Sequence, residues 1–268
     1  MNLRFFGISG IPMVQPGDDL VGLMNEGLIH MDETFENQDV LVIAQKIVSK
    51  SENRYVDLTK VSPGDEARQI AAKVDKDPRK VQVILDESKE VIRACPGVLV
   101  VEHRLGFVHA NAGIDQSNIT NETGDDEDLC LLLPLDADAS ARRIRHDIRE
   151  RFGIEVGVII NDSMGRAWRM GTLGLAIGVA GFTALEDYVG KTDLFGKELA
   201  VTRVAAADEM AAGASLVMGQ TIEKTPAVLV RGYGPSDPKE ETQRGVVPLI
   251  RPKAVSYTHL TLPTKRIV

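Results

Sequence analysis

The stretch "DVLVIA", Asp39 to Ala44, decides how the fold is read. It is an apolar run rich in Val and Ile, too short for a core helix and without apolar–polar alternation. Such runs read as strands buried on both faces. Three more follow the same pattern: "VLVVE" (Val98 to Glu102), "VGVIIN" (Val156 to Asn161) and "AVLVRG" (Ala227 to Gly232). Helical patterns lie between them. In "SPGDEARQIAAKV", Ser62 is placed to cap and Pro63 to open a helix carrying Ala67, Ile70, Ala71 and Val74 on one face. "DPRKVQVILDESKEVI" repeats the device with Asp77 and Pro78. "SARRIRHDIRERFG" carries Ile144, Ile148 and Phe152 on one stripe and stops at Gly153, and "AAADEMAAGASLVMG" stops at Gly219. The elements do not alternate as regular β-α units. The expected class is therefore α/β in the broad sense: mixed sheets with helices packed on them, in two intertwined subdomains, and not a simple Rossmann-type sheet.

Composition narrows the function. The 268 residues can bury a full core, and 43% of them are hydrophobic. A formal net charge of −8 argues against nucleic acid or an anionic membrane as a partner held by general electrostatics. An anionic substrate would need local cations or a bound metal. Cys95 and Cys130 match neither a disulfide framework nor a zinc motif, and read as buried free thiols. With no signal-peptide pattern and no apolar run of membrane-spanning length, a cytoplasmic chain is expected. The acidic loop "NETGDDED", Asn121 to Asp128, reads as a solvated surface. The final stretch, residues 255–268, continues no earlier pattern; it reads as a non-native tail behind a domain spanning 1–254.

Common nucleotide fingerprints fail. "VGKT" (Val189 to Thr192) resembles the end of a P-loop, but Leu185 stands where the first glycine must be. In "GTLGLAIGVAG" the glycines fit close helix packing instead of a dinucleotide loop. His30, His103, His109 and His146 are scattered and read as surface or core residues. Two strand ends stand out. "NAGID" presents Asp115, and "VGVIINDSMGR" presents Asp162 and Ser163 ahead of a glycine turn and Arg166. Carboxylates at strand ends beside tight loops are where α/β proteins place reacting groups. Together they would form an oxygen-rich site suited to Mg²⁺ or Mn²⁺; as turn or cap residues they need no ligand, and spacing alone leaves both readings open. "QKIVSK" supplies Lys46 and Lys50, either a polyphosphate clamp or a surface pair, and "GRAWR" adds Arg166 and Arg169.

Taken together, "GIPMVQPGDDL", "DVLVIAQKIVSKSENR", "NAGIDQSN", "LLLPLDADASA", "DSMGRAWRMGTLGLAIGVAG", "GKTDLFGKELAVT", "ADEMAAGASLVMGQ" and "PAVLVRG" resemble the coenzyme F420-0:L-glutamate ligase family, in family order from Gly10 to about Arg251. The resemblance implies a GTP-dependent ligase that joins L-glutamate to F420-0 through an acyl phosphate. It implies that Gly10, Ile11, Pro12, Met13, Gln45, Lys46, Lys50 and Asn118 line the GTP site, with Gly219 and the loop after it closing over the nucleotide. Asp115 and Asp162, helped by Ser163 and Gln220, would bind two divalent ions, Mg²⁺ or Mn²⁺, with K⁺ a further candidate. Lys46, Lys50 and Arg166 would stabilise the phosphoryl oxygens. A homodimer is also implied, for which the Gly171 to Gly181 stretch offers close packing. Two departures are visible: Ser163 replaces a frequent threonine but keeps the hydroxyl, and "KSENR" replaces a segment close to "KAEGR", losing a glycine. Two alternatives share the GTP site: an amide ligase with another carboxylate acceptor, and a nucleotide-binding regulator without turnover.

Overall fold

The computed structural model describes residues 2–117, 119, 128–166, 169–234 and 244–251. The chain runs through β1 (Arg4–Gly7), α1 (Leu20–His30), β2 (Val40–Ala44) and α2 (Gln45–Ser51). It continues through β3 (Tyr55–Asp57), α3 (Asp65–Val74), α4 (Pro78–Asp86), β4 (Ser88–Cys95), β5 (Val98–His103), β6 (Val108–Ala110) and β7 (Leu129–Leu131). Then follow α5 (Ala137–Phe152), β8 (Gly157–Arg166), β9 (Arg169–Ala180), β10 (Glu186–Asp187), β11 (Arg203–Val204), α6 (Ala206–Met218) and β12 (Ala227–Arg231).

The main sheet has the order β1-β12-β2-β8-β9, and its central pair, β2 and β8, is parallel while its other pairings are antiparallel. Successive side chains of a strand point to opposite faces, so a strand with both faces buried must be apolar throughout. That accounts for "VLVIA": Leu41 and Ile43 enter one core with α1 and α5, while Val40 and Val42 enter a second core with α6. A third apolar cluster joins Leu58, Ala67, Val74, Ile84, Leu99 and Val101, over the sheet β4-β5-β6 and helices α3 and α4. The chain leaves the main sheet after α2 to build this second unit and returns through α5, which makes the two units intertwined. No closed barrel forms among the described residues.

Several sequence expectations need correction. The first predicted cap shifts: α3 starts at Asp65 behind Gly64, with no side-chain cap from Ser62. Asp77 does cap α4, but the helix ends at Asp86, and "SKEVIRAC" is strand β4, drawn into register by β5. Asp162 and Ser163 do not end a strand. β8 runs on to Arg166 and pairs with β9 up to Arg169. The glycine-rich run is therefore a strand, β9, over which helices close. A Cβ at Gly178 would lie 2.4 Å from the Ala137 backbone, and one at Gly174 2.4 Å from the Ala211 carbonyl oxygen. These glycines serve packing inside the chain. Both cysteines are free, Cys130 buried and Cys95 half-buried. Among the described residues no helix is long and apolar enough to cross a membrane.

Candidate active site

The site is built where the parallel pair ends. Ala44 faces Asn161 across β2 and β8, so the next residues, Gln45 and Lys46 opening α2 and Asp162 and Ser163 continuing β8, share one end of the parallel pairing. The second unit supplies the opposite wall. After β6, Asn111, Ala112 and Gly113 take φ of 52°, 54° and 68°, a left-handed turn of three consecutive residues. Gly113 is required there twice over, because a Cβ would also sit 2.8 Å from Leu133 Cδ1. Ala112 has no such exemption and stores strain of about 1–2 kcal/mol. The turn delivers Asp115, whose backbone is pinned by reciprocal hydrogen bonds with Leu131 at 3.0 and 2.9 Å.

Each carboxylate has its own orienting donor. Gln45 Nε2 donates to Asp115 Oδ2 at 2.7 Å, and Gln45 Oε1 accepts from Ser49 Oγ at 3.0 Å. Lys46 Nζ lies 3.5 Å from Asp115 Oδ2 and donates to the Ser117 carbonyl at 3.1 Å. Asp162 Oδ1 accepts from the Ser163 N–H at 2.7 Å, and its Oδ2 lies 3.0 Å from His109 Nε2. Ser163 Oγ donates to Gln220 Oε1 at 3.1 Å, just beyond Gly219, which ends α6 with φ 71°. Burial raises the pKa of Asp115 against the pull of Lys46, and the neighbouring Asp162 adds to the rise. For His109, burial favours the neutral ring, but Asp162 and the Ala110 carbonyl outweigh it and hold the imidazole above its ordinary range.

Lys50 is the most informative cation. It is only 4% exposed, and among the described residues its ammonium makes no hydrogen bond or ion pair. Burial lowers its pKa, Lys46 adds to the effect, and Asp115 partly opposes it. Nζ is not among the fully buried, unbonded side-chain atoms of the described residues, so a buried stem ends in an ammonium that reaches solvent, where an anion can meet it. The turn after α2 also resolves the "KSENR" departure: Asn53 sits at φ 54° with its N–H bonded to the Lys50 carbonyl at 2.9 Å. Asparagine tolerates that left-handed conformation, so the glycine is not needed.

The donors fit a hard divalent cation. Two like charges converge in a half-buried site, with a hydroxyl and an amide oxygen beside one of them. No cluster of three or more His, Cys, Asp or Glu suited to a metal occurs among the described residues. Zinc, which wants three or four such ligands, is a poor match, whereas Mg²⁺ and Mn²⁺ take one or two carboxylates and complete their shell with phosphate and water.

The other expected residues are placed as follows. Gly10 to Met13 form the loop after β1, with Gly10 at φ 79°, Ile11 buried, and Pro12 and Met13 exposed. Arg166 is exposed on the β8–β9 hairpin, where its guanidinium donates to the Gly171 carbonyl at 3.3 Å; the structure does not bring it onto the carboxylates. Asn118, most of the acidic loop and the tail lie outside the described residues. Two residues escaped the sequence reading. His109 bonds Asp162, a partner 53 residues away. Lys80 of α4 donates to Gln116 Oε1 beside Asp115 and is held below its ordinary pKa by burial. Both lie on elements already read as strand or helix, so nearness to "NAGID" in sequence was the only signal for His109, and Lys80 gave none.

A cavity of about 490 Å³ lies elsewhere, lined by Arg142, Arg145, His146, Arg149 and Phe182 near the start of β8. Its Arg145 and Arg149 are already paired with Glu155, and it contains none of the candidate residues. The carboxylate cluster is the chemically equipped site.

Known proteins resemble this chain along most of its length. Residues 9–232 match the family model described as F420-0:Gamma-glutamyl ligase. A coenzyme F420:L-glutamate ligase of Methanothermobacter thermautotrophicus is 44% identical over 94% of this chain and 97% of its own. Proteins of the same name from Archaeoglobus fulgidus and Methanopyrus kandleri are each 42% identical, covering 87% and 89% of this chain and 88% and 90% of theirs.

Proposed function

The chain belongs to the F420-0:gamma-glutamyl ligase family, and from that premise we propose that it joins L-glutamate to the terminal carboxylate of F420-0 with GTP as phosphoryl donor. One arrangement carries the reading: Asp115 and Asp162 converge with Lys46 and with Lys50, whose ammonium bonds none of the described residues, where the parallel pairing ends.

A free carboxylate is a poor acyl donor and must be activated. The F420-0 carboxylate attacks the γ-phosphorus of GTP, releasing GDP and leaving an acyl phosphate. The amine of L-glutamate then attacks the acyl carbon, and phosphate departs as the amide forms. Asp115, Asp162, Ser163 Oγ and Gln220 Oε1 would hold two divalent ions, which offset charge on the phosphoryl oxygens when bound. Lys50 gives those oxygens a fixed, partly desolvated cation. Lys46 can exchange Asp115 and the Ser117 carbonyl for phosphate, and Arg166 can swing from Gly171. Each such donor is worth roughly 3 kcal/mol of barrier in a water-poor site. Gly10 to Met13, Gln45, Asn118 and Gly219 complete the proposed nucleotide surround. A homodimer belongs to the same reading: Met170, Leu194, Phe195 and Val201 stand largely exposed, apolar side chains that a second copy could cover.

The test is an end-point assay by mass spectrometry on the full chain with F420-0, L-glutamate, GTP and Mn²⁺, with and without K⁺. Glutamylated F420 and an equal amount of GDP, each needing all four components, support the ligase. GDP without glutamylated F420 would point to another acceptor. Bound GTP with no turnover would leave only a regulator.

A further inference from the structure

We propose that His109 is a positioning residue for the divalent-ion site, holding the Asp162 carboxylate in the orientation that meets the metal. The inference rests on the reading that Asp115 and Asp162 bind a divalent ion, and it adds a residue that neither the sequence motifs nor that reading includes.

Geometry fixes the ring on three sides. Nδ1 lies 2.7 Å from the Ala110 carbonyl oxygen. A carbonyl can only accept, so Nδ1 carries a hydrogen and donates it. Nε2 faces Asp162 Oδ2 at 3.0 Å, and a carboxylate oxygen likewise only accepts, so the ring donates from both nitrogens as the imidazolium, with the two side chains largely buried, 10% and 13% exposed. Phe107 meets the ring edge-on, with centroids 6.4 Å apart and planes 62° from parallel. Phe107 is in turn stacked on fully buried His103 at 5.1 Å. The imidazole therefore has little freedom to tip, and Asp162 inherits that restraint.

The restraint leaves the carboxylate able to bind. Asp162 Oδ1 takes one hydrogen bond from the Ser163 N–H and Oδ2 takes one from His109. Each oxygen has two lone pairs, so one remains on each for a cation. The arrangement parallels that of Asp115, where Gln45 is the orienting donor and is itself held by Ser49. Two carboxylates from different parts of the chain thus each have a buried donor that fixes their direction. Removing such an outer partner commonly weakens metal binding about 10–100-fold.

The test is Mn²⁺ binding to the full chain without nucleotide or substrates, read from the electron paramagnetic resonance signal of free Mn²⁺. His109→Phe keeps a planar ring but removes both nitrogens, and His109→Gln keeps a donor. Thermal melting of each variant checks that it folds, and should His109→Phe fail to fold, His109→Leu, which also removes both nitrogens, takes its place. The expected result is Mn²⁺ affinity about 10–100-fold weaker in His109→Phe, with much of the loss recovered in His109→Gln. Unchanged or tighter binding in His109→Phe would overturn the proposal, the latter by showing that the imidazole competes with the metal. If wild type binds Mn²⁺ and Asp162→Asn loses it while His109→Phe does not, only the positioning role fails. If wild type binds no Mn²⁺, the divalent-ion reading fails and the positioning role goes with it.

Discussion

Replacing Lys50 by Met should stabilise the protein while weakening its hold on GTP. Lys50 as a residue is 4% exposed, its ammonium is bonded to nothing among the described residues, and a second lysine lies nearby. Asp115 offers only partial compensation, since its own ionised form is disfavoured by burial. Met has similar length and no charge to desolvate. Replacing buried ionic groups by well-fitting apolar ones stabilises by about 1–4 kcal/mol, and about 2 kcal/mol is the expectation for one partly compensated charge. In a domain of this size that raises Tm by roughly 4–8 °C. The same change removes a charge-assisted contact to phosphate worth about 1.5–3 kcal/mol, which weakens GTP binding roughly 10–150-fold. Calorimetry would read both numbers, as melting of the apoprotein and titration with GTP and Mn²⁺. The linkage has a definite sign. The folded pKa of Lys50 lies below the ordinary 10.5, so the folded state releases this proton first. Wild type should therefore gain stability relative to Lys50→Met as pH rises from that lowered value towards 10.5. A variant that melts lower and binds GTP unchanged would refute the argument, because Lys50 would then be a structural cation.

Three more outcomes follow from the same geometry. Asp115→Asn should leave the apoprotein as stable as wild type or more so, by removing one of two converging charges, yet abolish glutamylation in the mass-spectrometric assay. Gly113→Ala should cost about 2–4 kcal/mol in denaturant melts, from the left-handed backbone and the clash with Leu133, with activity falling as Asp115 shifts. Glu87→Gln should cost about 3 kcal/mol by unpairing Arg54 and Arg104, which lie 3.3 and 2.8 Å from the carboxylate. Burial pushes the Glu87 carboxyl up, but His103, Arg104 and Arg54 together bring it down to about 2. Its contribution is thus complete above the ordinary 4.5 and is lost as pH falls towards 2, and an acid melt of Glu87→Gln should be flatter across that window.

What the sequence made legible was local. "DVLVIA" and "VGVIIN" are the central parallel strands because a run buried on both faces has no polar alternation to hide. Asp115 stands out because "NAG" forms the left-handed turn that presents it. The Gln45 to Lys50 segment stands out because a polar, cationic stretch directly follows a core strand. The misread parts depend on distant partners. "SKEVI" fits helix and strand periods alike, and only pairing with β5 decides it. Likewise "NDSMGR" looks like a strand end until β9 pairs alongside it. His109 is one histidine among several until folding sets it 3.0 Å from Asp162. A buried lysine stem whose ammonium bonds none of the described residues, the property that singles out Lys50, has no sequence signature at all.

The most direct measurement is isotope transfer during turnover. F420-0 with ¹⁸O in both oxygens of its terminal carboxylate is incubated with L-glutamate, GTP and the full chain, and the released phosphate is weighed by mass spectrometry. Activation at the Asp115–Asp162–Lys50 site predicts one ¹⁸O in each phosphate for every amide formed, and no labelled phosphate from Asp115→Asn. Amide formed with unlabelled phosphate would contradict the account, because the carboxylate would never have taken the phosphoryl group.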